Sequence, residues 1–466
     1  ILVKAGNTAA GARAASSHTG SLAGAEVAYD CAFRISGIIR AHSIEDLFDL
    51  AQAFAYQPLP AGRRVVIVTN AGGAGILAAD AVEDAGMTLS ALTDETRQAL
   101  KEILPGAASV QNPVDVLGDA TAERYRRSLD VIAEDPGVDA MVVLLSPQAM
   151  TRPREIAEEV VAASAHLGKP VLACFLGANA VADGVRTLQA ARIPHYPSPE
   201  RAVAALAVMQ KYRDWLESPQ RAIRRVTANP NKVKKILKNY RNLGLKRITE
   251  LDAKEILEAY GIPIPQGGLA TDAEQAVSIA ERIGYPVVMK IMSQDVVHKS
   301  DVGGVRVGLQ TSSQVNDAFD LMYLRIPKKV PGARLDGVLV EEMSTGGREV
   351  ILGMTRDPKF GPMLMFGLGG IYVEVLKDVT FHLAPLTIEE AMEMLSATKT
   401  FALLQGVRGQ QGVDVYAIAE CLQRIAQLGV DFPEIQEMDI NPLRVGFTRG
   451  DTVALDARIT LSSTDG

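Results

Sequence analysis

The sequence predicts two α/β architectures in series: a parallel, helix-covered sheet in the first half and an α+β domain in the second. Three observations carry this. The runs RVVIV at 64–68, AMVVLL at 140–145 and PVLACF at 170–175 are apolar throughout, as strands buried on both faces are. Helical stretches at 121–134 and 152–167 alternate with them, the order of a parallel sheet. After residue 249 the strand candidates 287–291, 303–309, 337–343, 349–354 and 363–366 are mixed with helices, which suits antiparallel pairing.

Taken in order, residues 1–3 are apolar and β-rich, and a small-residue stretch follows at 6–24. Helices are expected at 25–35 and 45–56, the latter with Leu47, Leu50, Ala51 and Phe54 on one face, ended by Pro58 and Pro60. The strand at 64–68 runs into a glycine-rich turn at 69–75, a helix at 76–85 stopped by Gly86, and a strand at 88–92. Residues 211–247 hold twelve basic and two acidic side chains plus Pro219 and Pro230, and read as a solvated linker. Thr249 and Asp252 form a capping-box pattern for a helix at 250–260, stopped by Gly261 and Pro263. A helix at 415–428 precedes 436–445, where Pro442 sets a turn, and a strand at 453–455.

Length and charge narrow the function. At 466 residues, about three domains are expected. A net charge of −7 offers no general attraction to nucleic acid. No apolar run approaches the length that spans a bilayer, so no membrane partner is expected. Cys31, Cys174 and Cys421 are few, distant and odd in number, which fits neither a disulfide framework nor a zinc site and points to a reducing, cytoplasmic compartment. The chain opens Ile-Leu-Val-Lys, without a signal-peptide layout, and a strand there leads us to expect sequence upstream.

Four features could carry chemistry. In TNAGGAG at 69–75, Gly72, Gly73 and Gly75 lie between strand and helix; this turn could cradle a phosphate, bind a dinucleotide through Gly73, Gly75 and Ala78 with Asp94 further on, or simply pack a helix on a strand. His18 lies among residues too small to pack it, in AASSHTGSLAG at 14–24; an exposed imidazole without a role is one reading and a nucleophilic nitrogen the other. His298, in DVVHKSDVGG at 295–304, poses the same choice. Asp439, Asn441 and Asp456 are either capped strand ends or hard oxygen donors suited to Mg²⁺. Around them Glu341, Glu342 and Glu349 could accept from ribose hydroxyls, and Lys290 could neutralise a phosphate.

At this point the sequence resembles the NDP-forming acyl-CoA synthetases, the superfamily of succinyl-CoA synthetase and ADP-forming acetyl-CoA synthetase. The matching segments are AASSHTGSLAG at 14–24, VIVTNAGGAGILAAD at 66–80, NPVDVLGDA at 112–120, VMKIMSQDVVHKSDVGGV at 288–305 and the stretch from GGREVILGM to FGLGG at 346–370. Their order covers nearly the whole chain and demotes the dinucleotide reading. The resemblance implies the C-terminal part of a first flavodoxin-like domain at 1–57, a second at 62–215, a basic linker at 216–246 and an ATP-grasp domain at 247–466, with the N-terminal CoA-binding domain lacking.

It also implies an ADP-forming acyl-CoA ligase, converting acyl-CoA, ADP and phosphate to a carboxylic acid, CoA and ATP. His18 would be the phosphohistidine on a mobile loop and His298 a second carrier, both catalytic. Gly72, Gly73 and Gly75 would stabilise the phosphoryl group. Lys290, Glu341, Glu342 and Glu349 would line the nucleotide pocket, and Asp439, Asn441 and Asp456 would hold Mg²⁺. CoA would bind mainly through the upstream domain, and the chain would form a homo-oligomer. The family pattern departs at His382, where an arginine is expected. The alternatives are the ligase-like portion of a protein lysine acetyltransferase, whose silent forms usually lack the histidine, and a plain ATP-grasp carboxylate ligase, which leaves residues 1–215 without a purpose.

Overall fold

The computed structural model describes residues 1–5, 26–165, 167–219, 222–293, 295–296, 299–369, 378–407, 409–448 and 450–462. The chain divides into two compact units, residues 1–23 with 33–220 and residues 24–32 with 221–466, and the helix Glu26–Ser36 crosses the division.

In the first unit, β1 (Leu2–Val3) pairs in parallel with β2 (Arg40–Ala41). The helix Ile44–Tyr56 starts at Ser43, whose side chain accepts from the Asp46 amide and so satisfies one orphan donor of the first turn. Strands β3 (Arg64–Thr69), β4 (Thr88–Leu89), β5 (Val114–Asp115), β6 (Ala140–Leu145) and β7 (Val171–Phe175) form one parallel sheet of order β4-β3-β6-β7, with β5 also on β3. Val65–Val68 and Ala140–Leu145 are wholly buried because both faces are covered. Helices Ala122–Ala133 and Pro153–Ser164 pack on one face, and Ile44–Tyr56, Gly72–Asp84 and Pro199–Glu217 on the other. Both faces being apolar is why these strands show no alternation.

Three expectations change here. The helix after β3 begins at Gly72, not at residue 76, so the glycines form its first turn. The strand expected at 88–92 shortens to Thr88–Leu89. Asp94 is the first residue of the helix Asp94–Ile103, paired with Arg97 and largely exposed, and does not sit at a strand end where a ribose acceptor would be needed; the dinucleotide reading fails on that ground.

In the second unit, β8 (Arg247–Ile248) precedes the helix Glu250–Ala259. Strands β9 (Gly267–Ala270), β10 (Val287–Met292), β11 (Val305–Leu309) and β12 (Gly337–Glu342) form an antiparallel sheet of order β11-β10-β12-β9. The helices Ala273–Ile283 and Ser312–Lys329 bury their apolar stripes on it. A larger antiparallel sheet joins β13 (Arg348–Asp357), β14 (Gly361–Leu368), β15 (Val379–Leu383), β16 (Ile435–Val445), β17 (Thr452–Ala454) and β18 (Ala457–Leu461) with β8. Its core takes in the helices Ile388–Ser396 and Val415–Asp431.

The basic linker is corrected. Pro199–Glu217 is helical, and Pro230–Asn242 is a helix whose Val233, Leu237 and Tyr240 enter the core of the second unit. Its lysines are the solvent face of an amphipathic helix, which a charge count alone reads as a tether. Thr249 does cap its helix, but Asp252 accepts from the Tyr240 hydroxyl, so the reciprocal half of the box is missing. Pro442 sets no turn: β16 continues through it to Val445, because β17 pairs only beyond it, from Leu443.

Candidate nucleotide and metal site

A cavity of about 1450 Å³ lies within the second unit, between its two sheets. It is lined by Lys290, Glu341, Glu342, Glu349, Asp439, Asn441 and Asp456, so all seven residues predicted for nucleotide and metal converge on it. The fold explains this. On the paired strands β10 and β12, Lys290 faces Leu339 and Glu341 faces Val288, so the two are offset by two residues and share one face of the sheet, while Asp439 and Asn441 alternate along β16. Asp456 lies in the turn between β17 and β18, beside β16, where the Asn441 amide donates to its carbonyl at 3.3 Å.

A ring of charge occupies one wall. Glu250 Oε1 lies 2.9 Å from Lys290 Nζ and 3.0 Å from Lys254 Nζ. Glu341 closes the ring, Oε1 at 2.5 Å from Lys254 Nζ and Oε2 at 3.2 Å from Lys290 Nζ. Lys299 pairs with the other oxygen of Glu250, and Lys290 Nζ also donates to the Leu455 carbonyl at 2.5 Å. Burial works against ionising Glu250, but Lys290, Lys254 and Lys299 outweigh it and hold the carboxyl below its usual range. Burial likewise works against the Lys290 ammonium, and Glu250, Glu341 and Asp456 outweigh it and hold its pKa above the usual value.

Glu250, Lys254 and Lys299 were not singled out from sequence. The available signal was Glu250 and Lys254 at i,i+4, the spacing of a helical ion pair, but that spacing does not distinguish a surface pair from a buried one.

Asp439 and Asp456 carry the opposite signature. Burial pushes the Asp439 carboxyl up, Asp456 and Glu437 add to this, and Arg458 offsets part. Burial also pushes Asp456 up, with Glu250 adding and the three lysines pulling back. Two half-buried carboxyls that resist ionisation beside one another, with an amide oxygen nearby, are a donor set that a divalent cation would relieve. Hard oxygens of this kind fit Mg²⁺, which keeps waters and bridges phosphates. Among the described residues no cluster of three or more His, Cys, Asp or Glu forms a metal group, so this site would depend on the amide and on ligand oxygens.

The glycines belong to the first unit. No side chain caps the helix that starts at Gly72. A Cβ on Gly73 would meet nothing within 4 Å, whereas one on Gly75 would come 3.0 Å from Thr69 Cγ2 and 3.4 Å from Pro113 Cβ. Gly75 is therefore a packing glycine, and Gly72 and Gly73 leave the first-turn amides open. His18 and His298 lie outside the described residues. His382 is buried on β15 with Nδ1 2.7 Å from the Leu383 carbonyl; its neighbour Phe381 lines the cavity and His382 does not. No disulfide joins the three cysteines, which are buried, and burial pushes the thiols of Cys174 and Cys421 up to about 12. No described helix is long and apolar enough to cross a membrane.

Three family models match the chain: a succinyl-CoA ligase-like flavodoxin domain over residues 1–54, a Ligase-CoA domain over 65–222 and an ATP-grasp domain over 239–461. The chain is 44% identical over 463 residues to the acetate–CoA ligase [ADP-forming] I of Archaeoglobus fulgidus, covering 99% of this chain and 66% of the relative. It is 41% identical over 461 residues to the 4-hydroxybutyrate–CoA ligase [ADP-forming] of Nitrosopumilus maritimus, with the same coverage of 99% and 66%. With the β subunit of acetate–CoA ligase [ADP-forming] I of Pyrococcus furiosus it shares 46% identity over 215 residues, 46% of this chain and 91% of that subunit. The chain thus spans 66% of the length of the first two relatives.

Proposed function

Because the chain belongs to the family of ADP-forming acyl-CoA ligases, we propose that the protein takes part in the reaction acyl-CoA + ADP + phosphate ⇌ carboxylic acid + CoA + ATP. The observation that carries this reading is the convergence of Lys290, Glu341, Glu342, Glu349, Asp439, Asn441 and Asp456, from separate strands and turns, on one cavity. The relatives it matches are ligases, and they lend nothing to the acetyltransferase-associated alternative.

In the proposed sequence, phosphate displaces CoA from the thioester to give an acyl phosphate. The imidazole of His18 then attacks phosphorus, releasing the carboxylate, and the phosphohistidine passes its phosphoryl group to the β-phosphate oxygen of ADP. A carrier on small residues avoids loss to water by moving between two anion-binding stops. One stop is the open helix start at Gly72 and Gly73, and the other is the cavity. There Lys290 neutralises phosphate oxygens, and Glu342 and Glu349 accept from ribose hydroxyls. Asp439, Asn441 and Asp456 would hold Mg²⁺, which supplies charge neutralisation to the phosphates when bound. His298 is a candidate second carrier. CoA recognition and assembly into a homo-oligomer belong to the same proposal.

Incubation with Mg²⁺ and γ-labelled ATP tests the reading. Acid-labile, base-stable label on His18, lost in His18→Ala, is expected. Full labelling together with full ligase turnover of His18→Ala, or no labelling of the wild type, overturns it.

A further inference from the structure

The ring on the cavity wall contains one residue that cannot reach a ligand. Lys254 has 2% side-chain exposure and does not line the cavity, whereas Lys290 and Lys299 keep 13% and 19% and do line it. Glu250 and Glu341 lie between them, at 4% and 5%. Lys254 and Lys290 each touch both carboxylates, and Lys299 touches Glu250. Three ammonium groups therefore meet two carboxylates in direct contact, an excess of one positive charge within the ring itself, which Asp456 faces from the turn after β17.

Burying a lysine costs hydration, and replacing a whole buried ion cluster by hydrophobic residues of similar volume is often no less stable, although removing one partner alone is destabilising. Fold stability alone does not require an ammonium here. Its consequence is geometric and electrostatic. Lys254 takes Oε1 of each carboxylate, sharing that of Glu250 with Lys290, while Oε2 of Glu341 holds Lys290 and Oε2 of Glu250 holds Lys299 at the cavity surface. Without Lys254 the remaining charges would cancel. Both carboxylates would then bind the two front lysines with nothing to spare for an incoming anion.

We propose that Lys254 is a positioning residue for phosphate recognition, acting through Glu250 and Glu341 to keep Lys290 and Lys299 in positive excess toward the phosphate chain of a nucleoside diphosphate. The inference deepens the ligase reading and rests on it for the identity of the ligand. Glu250 is the hinge of the device, since it holds both front lysines. An ammonium excess acts on charged groups, so its effect is expected on the phosphates and not on neutral adenosine.

The test compares binding of ADP and adenosine, each with Mg²⁺, to the wild type, Lys254→Met, Lys254→Arg and the charge-balanced double variant Glu341→Gln/Lys254→Met, which keeps Glu250 on both front lysines, with thermal unfolding alongside. Lys254→Met is expected to weaken ADP at least about tenfold more than adenosine, a differential of about 1.4 kcal/mol. Lys254→Arg restores most of the preference. The double variant removes one charge of each sign, keeps the excess of one and recovers the preference even if Lys254→Met folds poorly. A wild type that does not prefer ADP to adenosine overturns this inference and the ligase reading alike. A preference unchanged in Lys254→Met, or lost equally in the folded double variant, overturns the inference alone.

Discussion

Arg444 donates from Nη1 to the Thr345 carbonyl at 3.0 Å, tying the strand that carries Asp439 and Asn441 to the loop between Glu342 and Glu349. The guanidinium is buried, and its Nη2 donates to Asp451 at 2.6 Å. Gly347 makes the same junction tight: its φ is +77°, and a Cβ there would lie 2.1 Å from the Val445 carbonyl oxygen. The residues proposed for the metal and those proposed for the ribose are thus held in one register. Arg444→Met should cost about 2 kcal/mol in unfolding free energy, the scale of hydrogen bonds to a charged group. It should also raise the KM for ADP about tenfold, a loss of about 1.4 kcal/mol in binding. An unchanged KM would show that the loop holds itself.

Mg²⁺ should be required for most of the stabilisation that ADP gives the protein. A ligand at a hundred times its Kd adds about 2.7 kcal/mol to the folded state. In Asp456→Asn and Asp439→Asn, the Mg²⁺-dependent part of the ADP-induced Tm shift should fall by more than half, while ADP alone gives the same small shift as in the wild type. Differential scanning fluorimetry with and without EDTA reads this directly.

Gly73 and Gly75 should separate chemistry from packing. Gly73→Ala places its methyl in open space and should leave Tm equal or higher, since alanine gains up to about 1 kcal/mol over glycine within a helix. ATP formation should nevertheless slow, because the methyl intrudes on the anion's approach to the amides. Gly75→Ala pushes a methyl against Thr69 and Pro113 and should lose about 1–3 kcal/mol of stability. If Gly73→Ala turns over at the wild-type rate, the helix start is not a phosphoryl stop.

Stability of the parallel sheet should depend on pH through Asp139. The Arg64 guanidinium donates to both its oxygens at 2.8 and 2.9 Å, and this, against burial and with help from the Arg64 amide, holds the carboxyl below its ordinary value of 3.8. A depressed carboxyl contributes stability that is fully present above the ordinary value and is lost as pH falls through the lower folded one. Asp139→Asn should therefore destabilise by about 1 kcal/mol at pH 7, a figure kept small because Arg64 is half exposed. The gap should narrow below pH 3.8. Urea unfolding at pH 7 and pH 3 measures it; a gap that widens in acid would refute the pairing.

The strands were the most legible elements. RVVIV and AMVVLL announce a doubly covered sheet because a run apolar on both faces has no other soluble use. The seven cavity residues were legible as chemical types at strand ends. Local patterns failed where the answer depended on a partner far along the chain. Pro230–Asn242 looked like a tether because its lysines are visible in sequence and the core that receives Val233 and Leu237 is not. Pro442 looked like a terminator because a strand that continues past a proline needs its neighbours arranged for it, and β17 pairs only from Leu443 onward.

By itself the sequence determined the two architectures, the family and the residue types of the candidate site. These follow from periodicity and short-range spacing, which are properties of neighbouring residues. Tertiary structure alone decided that Glu250 and Lys254, on a helix read only for its cap, meet Glu341 from 87 residues away in a closed ring behind Lys290. Burial supplies the reason. The same glutamate and lysine in water would be an ordinary helical pair, and only the surrounding sheets, by removing water, turn them into a charge balance that can act on a ligand.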